Sequence, residues 1–173
     1  METMEARMVK LYARNNNHVA LHAIPGHFAT SHSHINFYID MTSLKTRANE
    51  AQEVAKSLAG DYVNSTVVDT IVCMDGTEVV GAYLAQEFEK RGFRNTNLHD
   101  TIYVVTPEYN ANNQLIFRDN TIPAIKGKNV ILLLATTTTG LTVRRSLECV
   151  QYYGGTVHGI SSIFSTVKKV GGM

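Results

Sequence analysis

The second half of the chain alternates between short apolar runs and longer segments in which apolar residues recur every three or four positions. The apolar runs predict strands over residues 66–73, 101–106, 130–135 and 157–164. The helical periodicity predicts helices over residues 79–91 and 141–153, each followed by a glycine. Strands that are almost entirely apolar and alternate with helices are typical of a parallel sheet between two helical layers. The sequence therefore predicts an α/β fold.

The first third of the chain has a less regular pattern. Its predicted elements are a short amphipathic helix over residues 4–14, an irregular segment over 18–28, a strand over 35–40, and a long helix from Thr42 or Ser43 to Leu58. We predict one domain spanning residues 1–173. About residues 1–42 form a small N-terminal part of this domain, and residues 43–173 form the α/β core.

Composition narrows the classes of protein that this chain can represent. Its 173 residues are 44% hydrophobic and 18% charged, as in an ordinary globular domain, and the net charge of +1 gives no reason to expect nucleic acid or a membrane as partner. Cys73 and Cys149 lack metal-site spacing, which predicts buried thiols in a reducing compartment. The N-terminus lacks a signal-peptide core, and no stretch approaches the ~18 apolar residues of a membrane span, so we expect a cytoplasmic protein.

The most informative motif is the turn between a predicted strand and the helix that follows it. Its residues are Thr136, Thr137, Thr138, Thr139, Gly140 and Leu141. Such a turn aims several backbone N–H groups, and the positive end of the helix dipole, at one point, which favours phosphate binding. The alternative is a threonine-rich helix cap without a ligand. The local pattern leaves both interpretations open.

A second turn of this kind follows the predicted strand 66–73. Its residues are Asp75, Gly76, Thr77 and Glu78. Gly76 permits an unusual backbone conformation, and Thr77 can donate to an oxyanion or cap the next helix. Asp75 and Glu78 suit a hydrated Mg²⁺ that accompanies a phosphate. The alternative is a capped helix start in which the acidic residues complement the dipole.

A polar connection of more than twenty residues separates the predicted strands 101–106 and 130–135. It includes Glu108, Tyr109, Asn110 and Asn112. Connections of this length inside a compact domain are usually lids or binding loops, so we predict a mobile flap. The alternative is a hairpin, because residues 114–117 resemble a short strand after an asparagine-rich turn.

Three histidines, His27, His32 and His34, lie close to one another and to Asp40 in the sequence. Imidazole suits Zn²⁺, Cu²⁺ or Ni²⁺. No fourth ligand is obvious, however, and the spacing matches no metal motif, so ordinary polar histidines on a loop are favoured over a metal site.

Three segments of the chain together resemble one enzyme family. Residues 31–40 are similar to its N-terminal hood through Ser31, His32, His34, Tyr38 and Asp40, with His32 in place of the usual glycine and Ile35 in place of the usual serine. Residues 69–85 are similar to its strand, pyrophosphate loop and helix. Residues 136–140 are similar to its loop for the 5′-phosphate of phosphoribosyl pyrophosphate (PRPP). From about residue 28 to 164, the chain resembles the type I phosphoribosyltransferases, most closely the orotate phosphoribosyltransferases.

The resemblance implies a Rossmann-like parallel sheet flanked by helices, with a small N-terminal hood. It implies a glycosyltransferase that moves ribose 5-phosphate between PRPP and a nitrogenous base in pyrimidine nucleotide metabolism, assisted by Mg²⁺. The turn 75–78 would face pyrophosphate and metal, and residues 108–112 would belong to the flexible loop. It also implies a homodimer, because in the orotate enzymes this loop reaches the neighbouring site.

The chain departs from the family pattern at two places. Leu134 and Ala135 occupy the positions of two adjacent acidic residues that hold the ribose hydroxyls, and their side chains cannot accept hydrogen bonds. The basic residues expected around the flexible loop are missing as well, because no Lys or Arg lies between Arg94 and Arg118. Cations of this kind contribute several kcal/mol of transition-state stabilisation. A lysine from elsewhere, such as Lys126 or Lys128, could partly substitute for them.

Three functions remain open at this point. The first is a phosphoribosyltransferase with reduced or altered activity. The second is a non-catalytic protein that binds a nucleotide or PRPP as a sensor. The third is an enzyme that acts on a different sugar phosphate.

Overall fold

The structure, a computed structural model, describes residues 3–29 and 34–167. Within these ranges the strands are β1 (Val9–Tyr12), β2 (Ala20–Ala29), β3 (His34–Asp40), β4 (Thr70–Cys73), β5 (Tyr103–Val105), β6 (Glu108–Tyr109), β7 (Leu115–Ile116), β8 (Asn129–Thr137) and β9 (Thr156–Ser165). The α-helices are α1 (Thr42–Thr46), α2 (Ala48–Ala59), α3 (Glu78–Lys90) and α4 (Leu141–Tyr152). None of the helices in the described ranges has the length and apolar character needed to cross a bilayer.

Four parallel strands form the central sheet in the order β5-β4-β8-β9. Successive residues of a strand point to opposite faces, so each central strand contributes to two apolar layers. On β8, Ile131 and Leu133 pack with α2 and α3, whereas Leu132 and Leu134 pack with α4. The predicted α/β fold, with a parallel sheet between helical layers, is confirmed.

Helix α3 packs especially close to β4 at one position. A Cβ atom at Gly81 would overlap the Sγ of Cys73 and would lie 3.2 Å from the Cγ1 of Val104. Glycine lets the helix approach the strand because it has no side chain. The start of α3 is thereby fixed directly beyond the end of β4.

The N-terminal part differs from its prediction. The helix predicted over residues 4–14 is wrong, because only Met4–Arg7 forms a single 3₁₀ turn and β1 follows it. The irregular segment predicted over 18–28 is also wrong, because it lies largely in β2, which pairs antiparallel with β1 and β3. An isolated helix of eleven residues is marginal, whereas pairing with β2 satisfies the backbone groups of β1. The Pro-Gly pair is accommodated by a register shift between Pro25 and Phe28.

The long helix predicted from Thr42 or Ser43 to Leu58 is divided in two at Arg47, whose backbone is extended with φ −85° and ψ 120°. Leu44 before the break and Ala51 after it are both in the core, as the periodicity predicts. Neither Thr42 nor Ser43 caps the first helix. The Asp40 carboxylate instead accepts the Thr42 N–H at 2.9 Å, and its hydrogen bonds with Thr42 hold the pKa of Asp40 below the ordinary value.

Asp69, immediately before β4, ties three segments of the core together. Its carboxylate is fully buried and accepts hydrogen bonds from the N–H and hydroxyl of Thr96 and from the backbone N–H and side-chain amide of Asn129. Burial by itself raises the pKa of this carboxyl, but the four hydrogen bonds outweigh burial and hold the pKa below its ordinary value. The segments that lead into β4, β5 and β8 are therefore fixed to one charged group.

Asp69→Asn should lower the free energy of unfolding by about 3 kcal/mol, because an amide turns its own NH₂ toward N–H donors and leaves buried groups unsatisfied. Urea denaturation at pH 7 measures this loss. The exposed Asp119→Asn is the matched control, with an expected change within about 0.5 kcal/mol.

The pH dependence of the stability of Asp69→Asn provides a second test. Because the folded-state pKa of Asp69 is lowered, its contribution is present above the ordinary value of 3.8 and is lost as the pH falls through the folded-state pKa. The stability difference between wild type and Asp69→Asn should therefore narrow below about pH 4. A difference that stays constant from pH 7 to pH 3 would contradict this account.

Candidate functional site

Three loops meet at one edge of the central sheet, because β4, β5 and β8 are parallel and their carboxyl ends lie side by side. Residues 74–77 join β4 to α3, residues 138–140 join β8 to α4, and residues 106–107 lead from β5 into the β6–β7 hairpin. In open α/β sheets, ligands bind beyond the carboxyl ends of the strands. The structure thus brings the two predicted strand–helix turns to neighbouring positions.

The threonine run is divided between strand and loop. Thr136 and Thr137 belong to β8, and the buried hydroxyl of Thr137 lies 3.1 Å from the Oγ of Ser162. Thr138 and Thr139 are exposed. Of the threonines in the predicted phosphate loop, these two therefore present their side chains to solvent.

Gly140 sets the direction in which α4 begins. Its φ of +79° is left-handed, a conformation that glycine adopts without strain. The Arg144 N–H donates to the Gly140 carbonyl at 3.0 Å, and the Leu141 N–H makes a long contact of 3.4 Å with the Thr139 hydroxyl. The N–H groups of the first turn lack intrahelical partners and face the space beyond β8.

The loop after β4 contains two successive residues in the left-handed conformation, Asp75 at φ +57° and Gly76 at φ +76°. Thr77 is fully buried, and its hydroxyl donates to the carbonyl of Met74 at 2.7 Å, with the carbonyl of Leu133 at 3.2 Å. Thr77 therefore neither faces a ligand nor caps α3 with its side chain. Its hydroxyl fastens this loop to β8.

Two charged side chains lie at the same loop. Burial raises the pKa of the Asp75 carboxyl, while a hydrogen bond from the Ala135 backbone N–H and the charge of Lys45 act in the opposite direction. The Nζ of Lys45 donates to the Asp75 carbonyl at 3.0 Å. No sequence pattern marks Lys45, because it lies thirty residues upstream of Asp75 in a helix and belongs to no motif.

Glu78, the first residue of α3, is exposed, and its Oε1 accepts a hydrogen bond from the Thr106 hydroxyl at 3.2 Å. Asp75 and Glu78 are thus the carboxylates of this loop that can contribute to a cation site. Among the described residues no three His, Cys, Asp or Glu side chains converge as a metal site. The two carboxylates therefore suit Mg²⁺ binding of the kind in which one or two protein carboxylates and the phosphate oxygens of a ligand coordinate the ion together.

Leu134 and Ala135 are buried, with 0% and 3% of their surface exposed. Leu134 packs in the cluster of Val143 and Val150 beneath α4, and Ala135 packs in the cluster on the opposite face. Neither side chain can accept a hydrogen bond, so β8 offers a sugar only its backbone groups at these two positions.

The connection after β5 folds back as the β6–β7 hairpin, so the hairpin alternative is confirmed. The Asn110 side chain accepts the N–H groups of Asn112 and Gln114, both at 2.9 Å, and Glu108 pairs with Arg118 at 2.8 Å. Tyr109 is exposed.

The hairpin packs on α4, where the thiol of Cys149 donates to the Leu115 carbonyl at 3.4 Å. A cleft of about 450 Å³ lies between the hairpin tip and Arg145, Glu148 and Cys149. Asn112, which the sequence assigns to a binding loop, thus lines this cleft beside α4.

The residues of the predicted hood lie in β3 or outside the described part of the chain. Ser31 and His32 are outside the described residues. His34 lies 2.9 Å from His27 between ring nitrogens, and the ring of Tyr38 lies 5.8 Å from that of Phe28. The His27–His34 contact is that of two polar rings on paired strands.

Lys126 and Lys128 lie immediately before β8, at the amino end of the strand. Parallel strands place their amino ends at the edge opposite the three loops. These lysines therefore cannot supply the missing cations, contrary to the possibility that the sequence left open.

The comparisons with known proteins bear on the fold. No protein-family model matches the sequence, and no curated protein matches it. Solved structures do match. The orotate phosphoribosyltransferase of Aeropyrum pernix superposes with a TM-score of 0.52 at 17% identity, over 83% of this chain and 88% of that one.

The orotate phosphoribosyltransferase of Mycobacterium tuberculosis, in complex with inorganic phosphate, gives a TM-score of 0.51 at 16% identity over 83% of this chain and 75% of its own. The adenine phosphoribosyltransferase of Thermoanaerobacter pseudethanolicus gives a TM-score of 0.55 at 14% identity, over 94% of this chain and 85% of that one. Identities this low establish a shared fold alone. The protein thus has the type I phosphoribosyltransferase fold.

Proposed function

We propose that the protein binds PRPP or a nucleotide and transfers ribose 5-phosphate between PRPP and a nitrogenous base at a reduced rate. The observation that supports this proposal most strongly is the turn formed by Thr138, Thr139 and Gly140 between β8 and α4. It offers backbone N–H groups that have no intrahelical partner, two exposed hydroxyls and the positive end of a twelve-residue helix. A 5′-phosphate is the group that this arrangement suits best.

The neighbouring loop gives the proposed ligand a second contact surface. β4 and β8 pair directly, from Thr70 opposite Val130 to Cys73 opposite Leu133, so the turns that follow them lie at the same edge of the sheet, with β8 continuing four residues further to Thr137. Asp75 and Glu78 are the carboxylates near which we place a Mg²⁺ shared with ligand phosphates. By resemblance we also propose a cytoplasmic homodimer.

A second function is favoured by specific observations. The acidic pair is replaced by buried apolar side chains, and Arg118, which follows the hairpin, is paired with Glu108. A site with these features can hold a sugar phosphate without stabilising the departure of pyrophosphate. The second candidate is therefore a non-catalytic protein that binds PRPP or a nucleotide as a sensor.

Gly140→Val should weaken ribose 5-phosphate binding by more than it lowers the free energy of unfolding. A β-branched residue at a left-handed φ costs about 1–2 kcal/mol in folding, and it also displaces the N–H groups that would hold the phosphate. Isothermal titration gives the affinity, and urea denaturation gives the stability.

Gly92→Val is the matched control for Gly140→Val. Gly92 follows α3 with a φ of +75°, and a Cβ added there would have no other atom within 4 Å. The control should lose similar stability and keep its ligand affinity. Equal affinities in the two variants would argue against a phosphate site at residues 138–141.

The double variant Leu134→Asp, Ala135→Asp should bind PRPP more tightly than the wild type and with a stronger dependence on Mg²⁺, because it restores acceptors for the ribose hydroxyls. The uncharged Leu134→Asn, Ala135→Asn is its control for burial of polar groups. Both variants should be less stable, since buried carboxylates without partners are costly. An unchanged PRPP affinity in a folded double variant would mean that the ribose is held elsewhere.

Turnover of PRPP with orotate, or with any other base, should be far slower than in an ordinary phosphoribosyltransferase while PRPP binds, and turnover at background would favour the non-catalytic candidate. One preorganised charge contact at a developing anion contributes ~10²–10³ in rate, and two such contacts are replaced here. A panel of bases with PRPP and Mg²⁺, followed by detection of released pyrophosphate, measures turnover. Rates on the order of 1–10³ s⁻¹ would show an ordinary phosphoribosyltransferase. Absence of PRPP and nucleotide binding would overturn both candidates.

A further inference from the structure

The edge of the sheet that carries the proposed site has charged and polar groups in a definite order. The amino end of α4 attracts anions after β8. The Asp75 carboxylate accepts the backbone N–H of Ala135, two residues before the end of β8. Lys45 lies beyond Asp75, over the loop after β4. The amino end of α4 and the Lys45 ammonium are therefore two separate anion-attracting groups at the carboxyl-end edge of the sheet.

Lys45 is held over this loop by the packing of its own helix. Leu44 is 1% exposed and anchors α1 in the core, while Lys45 is half-buried and turns toward the loop. Its Nζ lies 3.0 Å from the Asp75 carbonyl, and a Cβ at Gly76 would lie 3.7 Å from the same nitrogen. The ammonium group has three donors and uses one on this carbonyl, so two remain for a ligand.

We propose that Lys45 binds the second anionic group of a ligand whose first phosphate is held at residues 138–141. This inference rests on the proposed function and makes it more specific: the preferred ligand carries two separated anionic groups, as PRPP does in its 5′-phosphate and its pyrophosphate. Lys45 then discriminates PRPP from ribose 5-phosphate, which lacks the second group.

Two groups of basic residues do not compete with Lys45 for this role. Arg118 pairs with Glu108, and Lys126 and Lys128 lie at the opposite edge of the sheet. Arg144 is exposed in the first turn of α4, beside the position of the first phosphate. The competing explanation for Lys45 is structural, namely that it only fastens the loop after β4 to α1. The two explanations differ in which ligand would respond to removal of the charge.

The experiment is a pair of titrations, with PRPP and with ribose 5-phosphate, on the wild type and on Lys45→Gln. Glutamine keeps a donor for the Asp75 carbonyl and removes the charge. EDTA is present, since Mg²⁺ bound to pyrophosphate would itself neutralise the group that Lys45 contacts. Lys126→Gln, an exposed lysine at the opposite edge, is the matched control. Lys45→Arg is the charge-retaining variant, and thermal unfolding verifies that each variant is folded.

Lys45→Gln should weaken PRPP binding about tenfold, the value of one hydrogen bond to a charged group, and change ribose 5-phosphate binding by less than about twofold. Lys45→Arg should recover most of the PRPP affinity. If Lys45→Gln does not fold, the affinity of Lys45→Arg for PRPP and for ribose 5-phosphate is measured at increasing salt concentration instead. Equal salt dependence of the two affinities would overturn the inference.

The remaining outcomes separate the inference from the function on which it rests. Unchanged PRPP affinity in folded Lys45→Gln, with a wild type that binds PRPP, overturns the role of Lys45 and leaves the proposed function standing. Equal weakening for both ligands also overturns it, in favour of the structural explanation. A wild type that binds neither ligand overturns the proposed function itself.

Discussion

Strand β8 lies between β4 and β9 and is covered by helices on both faces, so its side chains from Val130 to Ala135 are all buried. This burial holds the two helical layers together, because alternate residues of one strand anchor opposite layers. It also excludes unpaired carboxylates from the strand, since a buried charge without a partner costs several kcal/mol. Polar chemistry is therefore confined to the residues beyond Ala135 and to the neighbouring loop.

The part of the fold that the sequence predicts is the part in which burial dominates. β8 and α4 lie within two residues of their predicted bounds, because a continuous apolar run and a helical apolar stripe each have one stable arrangement against a core. The N-terminal sheet is not predicted, for the converse reason. The residues of β1 and β2 are mostly exposed or half-buried. Pairing between strands therefore determines their structure, and no periodic pattern of apolar residues indicates it in the sequence.

The candidate site likewise has features that the sequence predicts and features that it does not. The turn at residues 138–140 can be found from the sequence because its chemistry is local: hydroxyls, a glycine with positive φ and a helix start follow one another. The burial of the Thr137 and Thr77 hydroxyls cannot be found, because it depends on strand residues distant in the sequence: Ser162 for Thr137 and, besides the local Met74, Leu133 for Thr77. Lys45 cannot be predicted for the same reason, because its position over Asp75 depends on how α1 packs.

The two cysteines lie in different layers of the molecule. Cys73 packs on the side of α2 and α3, where burial raises the pKa of its thiol to about 12, and Cys149 packs under the hairpin on the side of α4, where burial raises the pKa to about 11. A thiolate is the reactive form, so both are inert toward alkylating reagents while their layers are closed. The rate at which each cysteine is alkylated in the native protein therefore reports how often its own layer opens, and the two layers can be followed separately without introducing any label.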